Sequence, residues 1–593
     1  MVFIINAMAV GQDKNLVKQL SENLIKENLA GAVWAIVDSN GTIQTGAAGF
    51  NHVPQKIMMK PTDKVNVGSI TKAVISTGIL KLSSDGRLLI DEPVNKYLPE
   101  VKFQNPWEAT NPITIRHLLD NTSGLGDLRF WHIFSTRAQP NTPLSKFYES
   151  DNSVLKIYTR PGTVYSYSNM GFTLLGMVIE SITHKPYEKY INETILMPIG
   201  MKNSTFNFVS QVSKNIDKSL AMGHYDGGSI APNMPIMVRP AAQFTTTAYD
   251  MGLFLRFVMN SGRINDKQWI SEKYMLHFGK PLGTNAVKNG LSNGYSCGMY
   301  MRDRYGVKGI YGLGSIIGYR AVTYIFPKQN KSFFIAYNMD SEVADYETFN
   351  KIMIAYLGIN KNENLHKPEA QSSDLKEFEG YYVPVVTKYE PYALSDFMTG
   401  FIQIQSQGKQ FLLKPFQQSS KKLTQLYSNI FIGEDRTEAS HSFYKYENNL
   451  YFSDGLKTDK KVNGFQILGA WVSVVLGIIG IIYILISGFY QLIKFKKVFP
   501  SLPIFWAFLG VLTLFLPIPF FLTQPFVEIA NKSAASILLM LSTIIMPFGV
   551  LSSFLVGFKK YTKNKLLTLA LLFTLQFILF LGYWGLLPLM LWV

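Results

Sequence analysis

The sequence predicts an α+β fold, an antiparallel sheet flanked by helices, followed by a small all-β domain and then a transmembrane helical bundle. Three observations carry this. A helical pattern over residues 14–28 leads into two apolar runs, 32–37 and 42–50, that flank Asp38-Ser39-Asn40-Gly41. Asn-Gly between apolar runs signals a β-hairpin. A second hairpin is written over 322–326 and 333–337 around the turn at 327–331, and helices between hairpins have to pack on the sheet to bury their apolar stripes. Finally, the 47% hydrophobic fraction is uneven: residues 1–460 read as soluble, whereas the region from 465 to 593 carries four apolar segments long enough to span a bilayer.

Taken in order, residues 1–11 are apolar, lack Lys and Arg, and contain Ala7-Met8-Ala9. They read as the remnant of a secretory signal or as a short disordered end; the first is the expectation. Residues 12–359 form the first domain. Its centre is Gly68-Ser69-Ile70-Thr71-Lys72. In a helix over 69–82, Ser69 and Lys72 share one face, and Ser69 sits in the first turn, where unpaired N–H groups favour negative charge. A serine hydroxyl needs a neighbouring base to become a nucleophile. Alone, Ser-x-x-Lys reads equally as a helix cap followed by an ordinary lysine.

His117 lies inside the apolar helix Ile115-Arg116-His117-Leu118-Leu119, so it reads as structural. The loop Tyr165-Ser166-Tyr167-Ser168-Asn169 then places Tyr167 and Asn169 on one side of an extended segment. Tyr167 can shuttle a proton, with Asn169 hydrogen-bonding beside it; the plainer reading of Tyr167 is a packed anchor. Residues 295–300 read as one strand. The Gly-rich strand at 311–319 contains Gly312 and Gly314, which would let a ligand approach its backbone closely. A linker at 360–374 and a small β domain at 375–463 follow, the latter reading as a spacer.

Residues 464–593 hold the four membrane segments, at 466–493, 502–526, 534–558 and 566–592. Lysines cluster after the first (Lys494, Lys496, Lys497) and the third (Lys559, Lys560, Lys563, Lys565), which puts those loops in the cytoplasm and residues 1–463 outside. Pro517, Pro519 and Pro547 suggest kinks. The spans carry no Asp, His or Arg, so an anchor fits better than a pump. Eight lysines against one acid place +7 of the +16 net charge in this region. The remainder forms no basic run, which argues against nucleic-acid binding. One cysteine excludes an internal disulfide, and the scattered histidines make a zinc site improbable. No metal or cofactor is expected.

With these residues assembled, the first 357 residues resemble the serine β-lactamase and penicillin-binding-protein-like family. The branch is that of class C β-lactamases, D-alanyl-D-alanine carboxypeptidases of the B type, D-aminopeptidases and esterases. The carrying stretches are Gly68–Lys72, Ile90-Asp91-Glu92-Pro93-Val94, Thr122-Ser123-Gly124-Leu125, Tyr165–Asn169, and the segment from Met197 to Thr205. The resemblance implies a β-lactamase/transpeptidase-like fold with an all-helical subdomain. It implies Ser69 as nucleophile, Lys72 and Tyr167 as sharing the work of base and proton shuttle, and Asn169 as orienting Lys72 and the substrate. Backbone N–H groups of Ser69 and Ser315 would form the oxyanion hole, and Gly312, Leu313 and Gly314 would bind substrate.

This third motif departs from the Lys-Thr-Gly or His-x-Gly of many members, so the usual cation and hydroxyl for a substrate carboxylate are absent. Arg320 is a substitute cation or a structural residue. Asn121 stands where many relatives have histidine. The expected protein is a membrane-anchored extracytoplasmic serine hydrolase acting through an acyl-enzyme. Its expected substrate is a small peptide, amide or ester, of D-amino-acid peptidase or esterase type. The rivals are a catalytically weak envelope binding or sensor protein, and a membrane-transport protein with an accessory outer domain.

Overall fold

The structure, a computed structural model, describes residues 13–212, 216–281, 283–360, 375–387, 389–408, 410–557 and 564–593. The expected signal remnant and nearly all of the expected linker lie outside the described residues.

The first unit is built on an eight-stranded antiparallel sheet: β1 (Gly31–Val37), β2 (Ile43–His52), β3 (Ile57–Met58), β4 (Tyr295–Ser296), β5 (Met299–Arg304), β6 (Val307–Ile316), β7 (Tyr319–Phe326) and β8 (Lys331–Tyr337). The order across the sheet is β3-β2-β1-β8-β7-β6-β5-β4. The two hairpins read from the sequence therefore meet at the centre, where Ala32 pairs with Tyr337 and Val37 with Ser332. Every residue of β1 is buried, because alternate side chains enter two different cores. Val33, Ala35 and Val37 join the cluster under the helices Thr71–Ser84, Asn169–Thr183 and Ala248–Met259. Ala32, Trp34 and Ile36 join the cluster under Lys14–Lys26 and Tyr346–Tyr356. Short helices between 115 and 199 form the expected helical subdomain.

Residues 295–300 are two strands, not one. Cys297 and Gly298 have φ of 53° and 83° and form a tight turn between β4 and β5, the backbone a two-residue hairpin favours. A Cβ on Gly298 would lie 2.3 Å from the Ala73 nitrogen, so this turn presses on the helix that carries Lys72.

The β domain is a closed eight-stranded barrel. Its first strand, Gly380–Pro384, pairs with its last, Thr458–Val462, around Phe378, Phe411, Phe431, Phe443 and Phe452. Closure leaves no open sheet edge. The barrel is more than a spacer, because it grips β5. Buried Asp303 accepts hydrogen bonds from the Thr437 and Glu438 nitrogens at 2.7 and 3.1 Å, and Arg304 pairs with Asp435 at 2.6 Å.

Among the described residues, four helices beyond the barrel are long and apolar enough to cross a membrane: Gly464–Lys494, Phe505–Thr523, Ala534–Val556 and Lys565–Tyr583. The second is interrupted near Pro517, as expected of a proline, whereas the third runs on through Pro547 as one helix. The fourth stops at Tyr583 and does not run on to 592. Gly585 takes a φ of 70° and Pro588 follows, after which the chain folds back so that Arg137 donates to the Val593 carbonyl.

Candidate active site

Ser69 lies in a 3-10 turn, Gly68–Ile70, at the entry to the helix Thr71–Ser84. Ser69 therefore precedes the α-helix by two residues and is not inside its first turn. Gly68 makes this turn possible: its φ is 50°, and a Cβ there would sit 2.7 Å from the Ser315 nitrogen. Gly314 has the same cause. A Cβ on it would fall 1.9 Å from the Val67 carbonyl oxygen. The strand β6 thus runs against the Ser69 turn at a separation only glycine permits. Gly312 faces Thr323 Oγ1, 2.4 Å from where its Cβ would be. Close approach does explain both glycines, but the approaching groups are the protein's own.

Lys72 is fully buried. Its Nζ donates to Ser69 Oγ at 2.9 Å, Asn169 Oδ1 at 2.6 Å and the Ala241 carbonyl at 2.9 Å. It also lies 5.0 Å from the centroid of the Tyr167 ring. On the other side of the nucleophile, Tyr167 Oη is 2.6 Å from Ser69 Oγ. Burial pushes the Tyr167 phenol well above its usual range, and nearby Asp127 adds to that, against the hydrogen bond with Ser69. The phenol is therefore neutral near pH 7 and able both to accept and to donate a hydrogen bond, as a proton relay requires.

The Tyr167 loop is held by alternation. Ser166 and Ser168 turn toward the preceding loop, donating to the Leu125 and Gly126 carbonyls at 2.9 and 2.8 Å. Tyr167 and Asn169 turn toward Lys72. Ser168 also caps the helix Asn169–Thr183. Asn121, with φ of 51°, accepts from the Ser168 nitrogen through its side chain at 3.1 Å, so it braces the loop. His117 is structural: it closes a capping box with Thr114, and burial lowers its pKa to about 4.

One residue was missed by the sequence reading. The buried Asp127 carboxylate accepts from the Asn169 backbone N–H at 2.8 Å and from Nδ2 at 2.9 Å. This turns Asn169 Oδ1 toward Lys72. Its signal was available: Asp127 sits between Gly126 and Leu128 in a stretch rich in apolar residues, where an acid implies burial with a partner.

At the third motif, Leu313 is 37% exposed. Arg320 is not a free substrate cation. It pairs with Asp340 at 3.0 Å and lies 4.1 Å over the Tyr346 ring, and Asp340 also accepts from Ser315 Oγ.

Residues 14–354 match the family model described as Beta-lactamase. The chain belongs to the beta-lactamase family. Among curated relatives, Protein flp of Staphylococcus aureus (strain N315) is 26% identical over 330 residues, covering 55% of this chain and 63% of the relative. The match thus spans less than two thirds of that protein's length. Among solved structures, SurE aligns with a TM-score of 0.52 at 17% identity, covering 76% of this chain and 98% of SurE. The octameric penicillin-binding protein homologue from Pyrococcus abyssi aligns with a TM-score of 0.49 at 20% identity, covering 75% of this chain and 99% of that one. The matched stretch contains Ser69, Lys72, Tyr167 and Asn169.

Proposed function

We propose that the protein is a membrane-anchored, extracytoplasmic serine hydrolase acting through an acyl-enzyme on a neutral or amine-ended peptide, amide or ester, of D-amino-acid peptidase or esterase type. The observation that carries this is the contact set at Ser69 Oγ, with Tyr167 Oη at 2.6 Å and Lys72 Nζ at 2.9 Å.

In this reading Ser69 Oγ attacks the substrate carbonyl while its proton passes to the uncharged amine of Lys72, directly or by relay through the Tyr167 hydroxyl, which gives up its own proton as it takes the serine's. The N–H groups of Ser69 and Ser315 receive the oxyanion, a role worth roughly 3–4 kcal/mol per donor. The bond to the leaving nitrogen or oxygen breaks as Tyr167 returns the proton to it. Water, deprotonated by the same pair, then cleaves the Ser69 ester. Exposed Leu313 offers a substrate carboxylate neither charge nor hydroxyl, which favours neutral or amine-ended substrates. The same feature favours, as a second reading, a catalytically weak binding or sensor protein.

Membrane anchoring is supported by the four long apolar helices. The outward placement is supported by the lysine-rich connection after the first of them. It is also supported by contacts of Ala530 and Val593 with the hydrolase unit. The test is turnover of paired D- and L-aminoacyl p-nitroanilides and esters by the full chain in detergent, beside Ser69→Ala. Turnover absent from the variant is expected. Equal background rates from both folded proteins would overturn the hydrolase reading in favour of the binding protein.

A further inference from the structure

A run of aromatic rings joins the catalytic cluster to the apolar helices. Phe526 lies 4.9 Å from Phe134, Phe134 is 5.6 Å from Phe130, Phe130 is 6.0 Å from Tyr392, and Tyr392 is 5.9 Å from Tyr389, centroid to centroid. Tyr389 in turn packs against the buried core that includes Ile70 and Ala73, the neighbours of Ser69 and Lys72, and contributes to the upward push on the Tyr167 phenol. Three parts of the chain supply these rings. Phe130 and Phe134 follow Asp127 in the hydrolase unit. Tyr389 and Tyr392 come from an excursion between the first two barrel strands, Gly380–Pro384 and Ile402–Gln407. Phe526 belongs to the connection between the second and third apolar helices.

The junction is clasped by polar contacts. The Ala530 nitrogen donates to the Phe134 carbonyl at 2.9 Å. Asn531 Oδ1 accepts from Ser135 Oγ at 2.9 Å, and its Nδ2 donates to Thr136 Oγ1 at 2.9 Å. Ala530 is fully buried in the hydrolase core. The short helix Ala393–Thr399, directly after Tyr392, lies on the apolar helices: Trp471 Nε1 donates to the Met398 carbonyl at 3.1 Å, and Phe397 is 5.3 Å from Trp584.

The aromatic run is only partly covered. Tyr392 is 47% and Phe526 57% exposed, and Phe130, Phe134 and Tyr389 are half-buried. Aromatic rings at such a boundary are suited to the headgroup level of a bilayer. A small soluble substrate would gain nothing from a surface that leads away from Ser69 toward the membrane.

We propose that the site takes its substrate from the bilayer surface: the scissile amide or ester sits at Ser69 while a long hydrocarbon chain of the same molecule lies over Tyr389, Tyr392, Phe130 and Phe134 and enters the leaflet beside Phe526. The substrate class is therefore an amphiphile, such as an acylated peptide, amide or ester. This rests on the membrane-anchored hydrolase reading above.

The test uses the full chain in phosphatidylglycerol–phosphatidylcholine nanodiscs, with p-nitrophenyl esters of fatty acids from two to fourteen carbons. Wild-type kcat/KM is expected to rise at least about tenfold along the series, as burial of added methylenes requires. In a Phe130→Ala/Tyr392→Ala variant the long-to-short ratio is expected to fall at least about fivefold from that gain. A ratio is read so that a general loss of activity does not decide the result, and if the variant fails to fold the wild-type series decides alone. A flat wild-type series, or a variant with an unchanged ratio, overturns the inference. If Ser69 still reacts with a fluorophosphonate in that case, the hydrolase reading stands without it; if Ser69 does not react, the hydrolase reading falls as well.

Discussion

The carboxylate of Asp127 accepts both the backbone N–H and the side-chain amide of Asn169, at 2.8 and 2.9 Å. That geometry leaves Asn169 Oδ1 as an acceptor for Lys72 at 2.6 Å. Asp127 is thus linked to Ser69 through Asn169 and Lys72, the place of a positioning residue in the proposed reaction. Asp127→Asn is expected to slow acylation of Ser69 by about 10- to 100-fold, the loss that follows from weakening hydrogen bonds to a charged group. The check is the fluorophosphonate labelling rate across pH 6–9. A wild-type rate and pH profile would show that Asn169 is oriented without Asp127.

Tyr167→Phe removes the 2.6 Å partner of Ser69 Oγ and leaves the ring. Acylation by an amide substrate is expected to fall by about 10²- to 10⁴-fold, the range for a positioned acid–base group. Because burial holds the phenol far above its usual value, Tyr167 stays neutral through pH 9. An alkaline limb of the wild-type profile below that pH should persist in shape in any variant that retains measurable activity, Tyr167→Phe included. A limb that disappears would show that the phenol itself titrates there.

His117 gives a stability prediction. Its pKa is about 4 in the fold because of burial, against 6.5 when unfolded. The unfolded chain therefore binds the proton first, so this contribution is fully present above pH 6.5 and is lost as pH falls toward 4. His117→Gln keeps a partner for the Thr114 capping box and removes the titration. The melting temperature of the variant should fall less than that of the wild type between pH 6.5 and 4.5. Parallel curves would contradict this.

At the third motif, Gly314→Ala places a methyl 1.9 Å from the Val67 carbonyl oxygen, in backbone that cannot yield cheaply. Labelling of Ser69 is expected to fall by more than about 100-fold, or the chain to lose its fold. Leu313→Thr, by contrast, adds a hydroxyl at an exposed position. It should raise acylation by a carboxylate-bearing penicillin several-fold relative to a neutral ester. An unchanged ratio would remove Leu313 from the account of specificity.

Much of this architecture is legible in the chain itself. Ser69 and Lys72 are three apart, and Tyr167 and Asn169 two apart, so local geometry alone sets each pair on a common side. The hairpins are written by Asn-Gly and by a lysine-flanked turn. What joins the pairs is not local. Asp127 reaches Asn169 across 42 residues, and Gly314 is fixed by the backbone of Val67, contacts that no periodicity encodes. The strand expected at 295–300 failed because a turn centred on Cys297 and Gly298 contains only one glycine, within an otherwise strand-like run. The last apolar segment was read too long because hydropathy does not distinguish a spanning helix from an apolar tail folded onto the hydrolase unit. The aromatic run toward Phe526 was invisible for the same reason: its members come from three parts of the chain.

The most direct test of the central claim is the intact mass of the full chain after incubation with a fluorophosphonate, beside Ser69→Ala. A single adduct on the wild type that is missing from the variant is the expected result. No adduct on a folded wild type, or an equal adduct on both proteins, would contradict the assignment of Ser69 as the nucleophile of this site.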